Sequence, residues 1–203
     1  MADQTTLLND ALGQLGQSRI TSIDDASHQA QLCKTFYDTL RRSLLRDHKW
    51  NFATSWLELA QDVAAPPAKW AYQYTVPPNV LRIWGIDEDG KTPFEVMRGG
   101  DEIKKLMTNE ATAIAEATFD LTNPDQWDGS FYQAFATLMA SKLAPGIIGG
   151  DTGLKVSDAK LEQGQSLLLD AKAIDGQENS IEILQSTALT TDVRGTTGYV
   201  KAV

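Results

Sequence analysis

Apolar and polar positions alternate at helical spacing over most of this chain. Leu7, Leu8, Ala11, Leu12 and Leu15 recur every three or four residues, which predicts a short helix over 6–15 stopped by Gly16. After a linker over 20–25, Ala26, Ala30, Cys33, Tyr37, Leu40 and Leu44 form one stripe, with Phe36 and Leu45 beside it. Gln29, Lys34, Asp38, Arg41 and Arg42 lie opposite, so a helix is predicted over 26–48, capped by Asp25 or Ser27. Leu40 and Leu44 are expected to pack on the two later helices. Phe131, Phe135, Leu138 and Met139 mark a third helix from Gly129 or Ser130 to Ala144, capped by Asp128 and ended by Pro145-Gly146. Leu154, Leu161, Leu168 and Ala171 mark a fourth over 154–174, weakened at Gly164.

The pattern changes between the second and third helices. Pro66-Pro67 ends any helix through Trp56, Leu57 and Leu59. Trp70, Tyr72, Tyr74 and Val76 alternate in period two and predict a strand. Further strands are predicted over 80–86 and 92–97, joined by an Asp89-Gly90 turn, with a short helix over 101–107 and a strand over 111–121. The expected fold is therefore mainly α. A four-helix bundle-like core (1–50 and 122–174) carries an inserted small antiparallel β-sheet of about four strands (51–121). From residue 175 the chain turns polar and predicts an extended C-terminal arm over 175–203, either frayed or laid on a neighbouring subunit.

Four of the five tryptophans fall between Trp50 and Trp84. Such side chains serve both cores and subunit interfaces. Trp50, Trp70, Tyr72 and Tyr74 are therefore candidates for core or assembly contacts. Asp87, in the acidic Asp87-Glu88-Asp89 turn, is a candidate for a docking hairpin. Ile181, Ile183 and Leu184 form the one apolar patch of the arm.

Charge and composition narrow the function. The net charge of −9 and the lack of a basic block argue against a surface that grips duplex DNA. One cysteine, Cys33, excludes an intramolecular disulfide, and its place on the apolar stripe predicts a small buried hydrophobe. No signal peptide and no membrane span are read, so an intracellular site of synthesis is expected. His28 and His48 stand near opposite ends of one predicted helix, about 30 Å apart, and share no metal. Gly13-Gln14-Leu15-Gly16 and the glycines of 146–153 lack the lysine and hydroxyl residue of a phosphate loop. The Asp87 cluster misses the calcium-loop spacing. No serine sits in a nucleophile elbow and nothing selects a carboxylate pair. No catalytic residue, cofactor or metal is expected, and the chain is read as not an enzyme.

An ordered set of residues resembles the tail tubular protein A, or head-to-tail adaptor, family of short-tailed bacteriophages. The set begins with Leu12-Gly13-Gln14-Leu15-Gly16 and Arg19-Ile20, and continues with Tyr37 and the arginines up to Arg46. His48-Lys49-Trp50-Asn51-Phe52-Ala53, Trp70, Tyr72, Tyr74, Pro77 and Leu81-Arg82 follow. Asn123-Pro124, Trp127-Asp128, Phe131, Ala134 and Leu143-Ala144 complete it, so the likeness covers about 1–175. The resemblance implies a structural protein of the virion tail, without enzyme activity. It implies a homo-oligomeric ring, commonly of twelve copies, bound to the portal protein above and the tail nozzle protein below. In some relatives tail fibres attach near that joint. DNA would pass through the ring during ejection without specific binding, and the C-terminal arm would reach the portal. A head-completion protein, another homo-oligomeric virion component, is the alternative reading.

Overall fold

The computed structural model describes residues 3–66, 69–87 and 90–178. Four helices and seven strands follow one another as α1 (Gln4–Gly13), α2 (His28–Asp47), β1 (Thr54–Glu58), β2 (Ala60–Gln61), β3 (Tyr72–Thr75), β4 (Val80–Gly85), β5 (Phe94–Arg98), β6 (Lys104–Thr108), β7 (Ile114–Phe119), α3 (Gly129–Ile147) and α4 (Gly150–Glu178).

Local chemistry sets the helix ends. The Asp3 carboxylate accepts from Thr6 N at 2.7 Å and starts α1. Beyond α1, Gly16 adopts φ +66°, and Gln17 N donates to Leu12 O at 3.0 Å, closing the turn as expected. Ser27 rather than Asp25 caps α2, and Asp128 caps α3 through Ser130 N at 2.8 Å. Pro145 does not stop α3, which runs to Ile147 before Gly149 turns with φ +72°.

Helix α3 is the centre of the helical layer. It is buried on nearly every side and packs against α1, α2 and α4. Leu44 of α2 is buried, whereas Leu40 lies only partly covered at the edge of the same core. Helix α4 uses only the C-terminal half of the predicted stripe, where Ala171 is buried and Leu168 packs against the core. Its buried residues are Gly153, Gly164, Ala171 and Asp175, while Leu154 and Leu161 face outward. The small side chains let the two backbones approach: a Cβ on Gly164 would lie 2.7 Å from Leu138 Cγ. Gly164 is thus a packing residue, not only a weak point in the helix.

The fold is α+β, not the mainly α bundle expected from the sequence. Helices make up 49% and strands 19%, and the strands form two antiparallel sheets. One sheet has the order β1-β7-β4 and the other β2-β3-β6-β5. Residues 54–61, read as helical at Trp56, Leu57 and Leu59, instead form β1 and β2. Leu59 alone separates them, so the chain crosses from one sheet to the other there. The predicted helix over 101–107 is replaced by β6, a central strand between β3 and β5. Tyr74, Leu106, Val80, Ala115 and Ala117 fill one core shared by both sheets.

Side-chain bonds tie the layers together. Arg41, assigned to the polar side of α2, is buried. Its guanidinium meets Asp120, just after β7, at 3.0 Å and Asp38 at 2.8 Å. Arg46 donates to Leu81 O at 3.1 Å, and Arg82 donates to Arg46 O at 3.3 Å.

Candidate assembly surfaces

The aromatic segment divides between the two cores. Trp50 is 1% exposed and belongs to the helical core. Its indole N–H donates to Leu44 O at 2.9 Å, satisfying a carbonyl in the last turn of α2. Its ring meets Phe131 edge to face at 4.8 Å, and Trp127 meets Phe131 and Phe135 at 5.2 and 5.0 Å. Tyr74 fills the sheet core, with its hydroxyl donating to Glu110 O at 2.8 Å. Tyr72 packs at the margin of that core. Trp70 is half-buried, donates to Glu95 at 3.2 Å and lies under the Lys69 ammonium. The four candidates are therefore not one surface: Trp50 and Tyr74 are core, and Trp70 and Tyr72 are rim.

Asp87 shapes its own loop. Its carboxylate accepts from Lys91 N at 3.2 Å and Thr92 N at 3.1 Å. The bonds from Thr92 hold the carboxyl below the usual carboxylate range. Ile181, Ile183 and Leu184, with the rest of the predicted arm beyond Glu178, lie outside the described residues.

The groups with reactive potential are in structural positions. His28 lies 3.1 Å from Gly146 O near the end of α3. His48 Nε2 lies 3.1 Å from Asp175, whose other oxygen accepts from Asn51 N at 2.9 Å. These bonds fasten the end of α4 to the segment after α2. Burial pushes the Cys33 thiol up to about 11, against nucleophilic use near neutrality. Among the described residues, no group of three His, Cys, Asp or Glu side chains is placed to hold a metal, and no helix is long and apolar enough to cross a membrane.

Among the exposed apolar side chains, two groups stand on different elements. On α4, Leu154 is 57% and Leu169 67% exposed, and Leu161 lies one heptad after Leu154 on the same side. On the outer face of the first sheet, Trp56 and Ile114 are each 46% exposed. The register pairs Trp56 with Glu116 and Glu58 with Ile114, so these four share one face while Leu57 and Ala115 point to the core. With Ile86, Asp87 and Glu110, Trp56 and Ile114 border a hollow of about 410 Å³. Sequence reasoning missed Trp56 because it was placed on a helix. The alternation of Trp56 and Glu58 with Leu57 and Leu59 was the available signal.

No protein-family model matches the chain, and no curated protein matches it.

Proposed function

We propose that this protein is a ring-forming structural subunit. More particularly, we propose a head-to-tail adaptor of a short-tailed bacteriophage, joining portal to tail nozzle and continuing the DNA channel. The observation that carries the reading is the pair of unlike apolar surfaces, the leucines of α4 and the Trp56–Ile114 face. A closed ring needs two different surfaces on each subunit, one for each neighbour. Exposed apolar patches with polar surroundings mark such contacts. The acidic balance supports the same reading, since a negative wall does not retain passing DNA. The particular assignment rests on the resemblance of the ordered residues to the adaptor family.

The test uses Leu161→Glu and Trp56→Glu. Neither side chain is in a core, so both variants stay folded, with Trp56→Glu losing a little of its denaturation midpoint to the Glu116 carboxylate opposite it. Each is expected to lose co-sedimentation with purified portal protein as a multi-copy complex. Wild-type complexes from both variants would refute the proposal.

A further inference from the structure

The two sheets share one core but are joined around it on one side only. The chain crosses from β1 to β2 at Leu59, which links the sheets there. The other edge strands, β4 and β5, do not pair with each other, and a groove of about 450 Å³ lies between them. Val76, Val80, Ile83 and Phe94 form its apolar floor. Val96 shows that the core is uncovered here. It stands opposite Leu106 in the register, on the same face, yet Leu106 is fully buried and Val96 is 42% exposed.

The backbone of β5 is also unpaired on this side. Gly99 N donates to Ile103 O at 2.7 Å, which sets the phase of the β5–β6 ladder. In that phase Glu95 and Met97 exchange bonds with β6, and the N–H and C=O groups of Phe94, Val96 and Arg98 point outward. Such an edge is a template for an added strand.

Positive charge is gathered at one end of the groove. Lys104 stands opposite Arg98 in the register, and its ammonium reaches Val80 O at 3.2 Å. Arg46 donates to Leu81 O at 3.1 Å. Arg98 pairs with Glu102, whereas Arg46 and Lys104 have no carboxylate partner among the described residues. No carboxylate lines the groove, although acidic residues outnumber basic ones, 27 to 18. Burial and the charges of Arg46 and Arg42 push the Lys104 ammonium below its ordinary value. Phe94 lies at the opposite end of β5 from Arg98.

An antiparallel strand laid on β5 meets Arg98, Val96 and Phe94 in that order, through every second residue. Those same residues point their side chains over the groove. We propose that the groove receives an extended segment of another protein, in which a carboxylate is followed two and four residues later by apolar side chains. The carboxylate then faces the cationic end, and the apolar side chains cover Val96 and Phe94. Strands of a second copy do not offer this order: four places after Glu58, Glu95 and Glu116 stand Asp62, Gly99 and Asp120. Two β5 edges joined to each other would set two cationic rims together. Nucleic acid fits less well, because its phosphates would fall on the apolar floor as well as on the cations.

Nuclear magnetic resonance titration of the full chain tests this with two capped peptides of the same composition. Ser-Glu-Thr-Val-Thr-Ile-Ser carries its carboxylate and both apolar side chains on one face. Ser-Thr-Val-Glu-Ile-Thr-Ser turns the carboxylate to the face opposite its valine and isoleucine. The first should shift the amide signals of Val96 and Arg98 and bind at least about tenfold tighter than the second. In Lys104→Glu that preference should vanish, and the first peptide with lysine in place of its glutamate should bind this variant better than it binds the wild type. Equal binding of the two peptides to the wild type, or no binding of either, would overturn the proposal. So would a wild-type preference in folded Lys104→Glu. Shifts of the same amides that grow with protein concentration, without peptide, would assign the edge to a second copy. A single-stranded DNA oligonucleotide that shifts them at lower concentration than the first peptide would make nucleic acid the occupant. Both results contradict the proposal. None of them touches the ring reading, which uses the α4 leucines and the Trp56–Ile114 face.

Discussion

At the scale of the residue, Gly164 shows how one missing side chain sets the distance between two helices. A methyl group there would meet Leu138 Cγ at 2.7 Å and Leu138 N at 3.1 Å. The side chain can shift, but the backbone nitrogen cannot move alone. Gly164→Ala is expected to destabilise by about 1–3 kcal/mol, although alanine is the better helix former. Gly176, also on α4, has nothing within 4 Å of its notional Cβ. Gly176→Ala should instead stabilise by about 0.5–1 kcal/mol. Paired chemical denaturation curves check the opposite signs. Titration at Cys33 and Tyr37 gives a second prediction at this scale. Burial pushes the thiol up to about 11 and the phenol up to about 12. The folded chain keeps both protons at a pH where the unfolded chain has begun to release them, so stability is full at neutral pH and falls above about pH 9. Cys33→Ala should remove the earliest part of that loss in urea midpoints followed toward alkaline pH. An unchanged profile would contradict the burial argument.

At the scale of the element, α2 and the sheets are held by Arg41 and Asp120, whose side chains are 7% and 15% exposed. Asp120→Ala leaves the buried guanidinium with Asp38 as its one carboxylate partner and is expected to cost about 1–3 kcal/mol. Arg41→Met combined with Asp120→Ala should cost less than Asp120→Ala alone, and a double-mutant cycle measures the difference. Legibility in the sequence also varied by element. The first three helices could be read because their apolar stripes and the caps at Ser27 and Asp128 agree. Strands β3 and β7 could be read from period-two alternation; β4 and β5 were placed as strands but wrongly joined as a hairpin, since they pair in different sheets, β4 with β7 and β5 with β6. Strand β6 could not, because a central strand covered on both faces shows no alternation. Leu106, Met107 and Thr108 are all buried, and Lys105 is buried through its bond to Asp62. The α4 seam was misread in its first half for the opposite reason: glycine and alanine carry most of the contact, while Leu154 and Leu161 are exposed and Leu168 packs on the core. Of the candidate assembly residues, Trp50 and Tyr74 were legible only as large apolar side chains. Their assignment to separate cores depends on pairing far along the chain.

At the scale of the whole molecule, what the fold leaves uncovered matters most. Two cores, one helical and one shared by the sheets, take up Trp50, Tyr72 and Tyr74 of the aromatic segment. The α4 leucines, the Trp56–Ile114 face and the cationic groove remain outside both. Under the proposed ring reading, a subunit docked between two other assemblies would have a use for each. The most direct test is particle imaging of the protein mixed with purified portal, at a resolution that counts subunits. The ring reading predicts a closed ring on the portal in which α4 of one copy and the Trp56 face of the next lie within intersubunit contacts. Single copies bound without contact to one another, or a ring with both surfaces facing solvent, would contradict it.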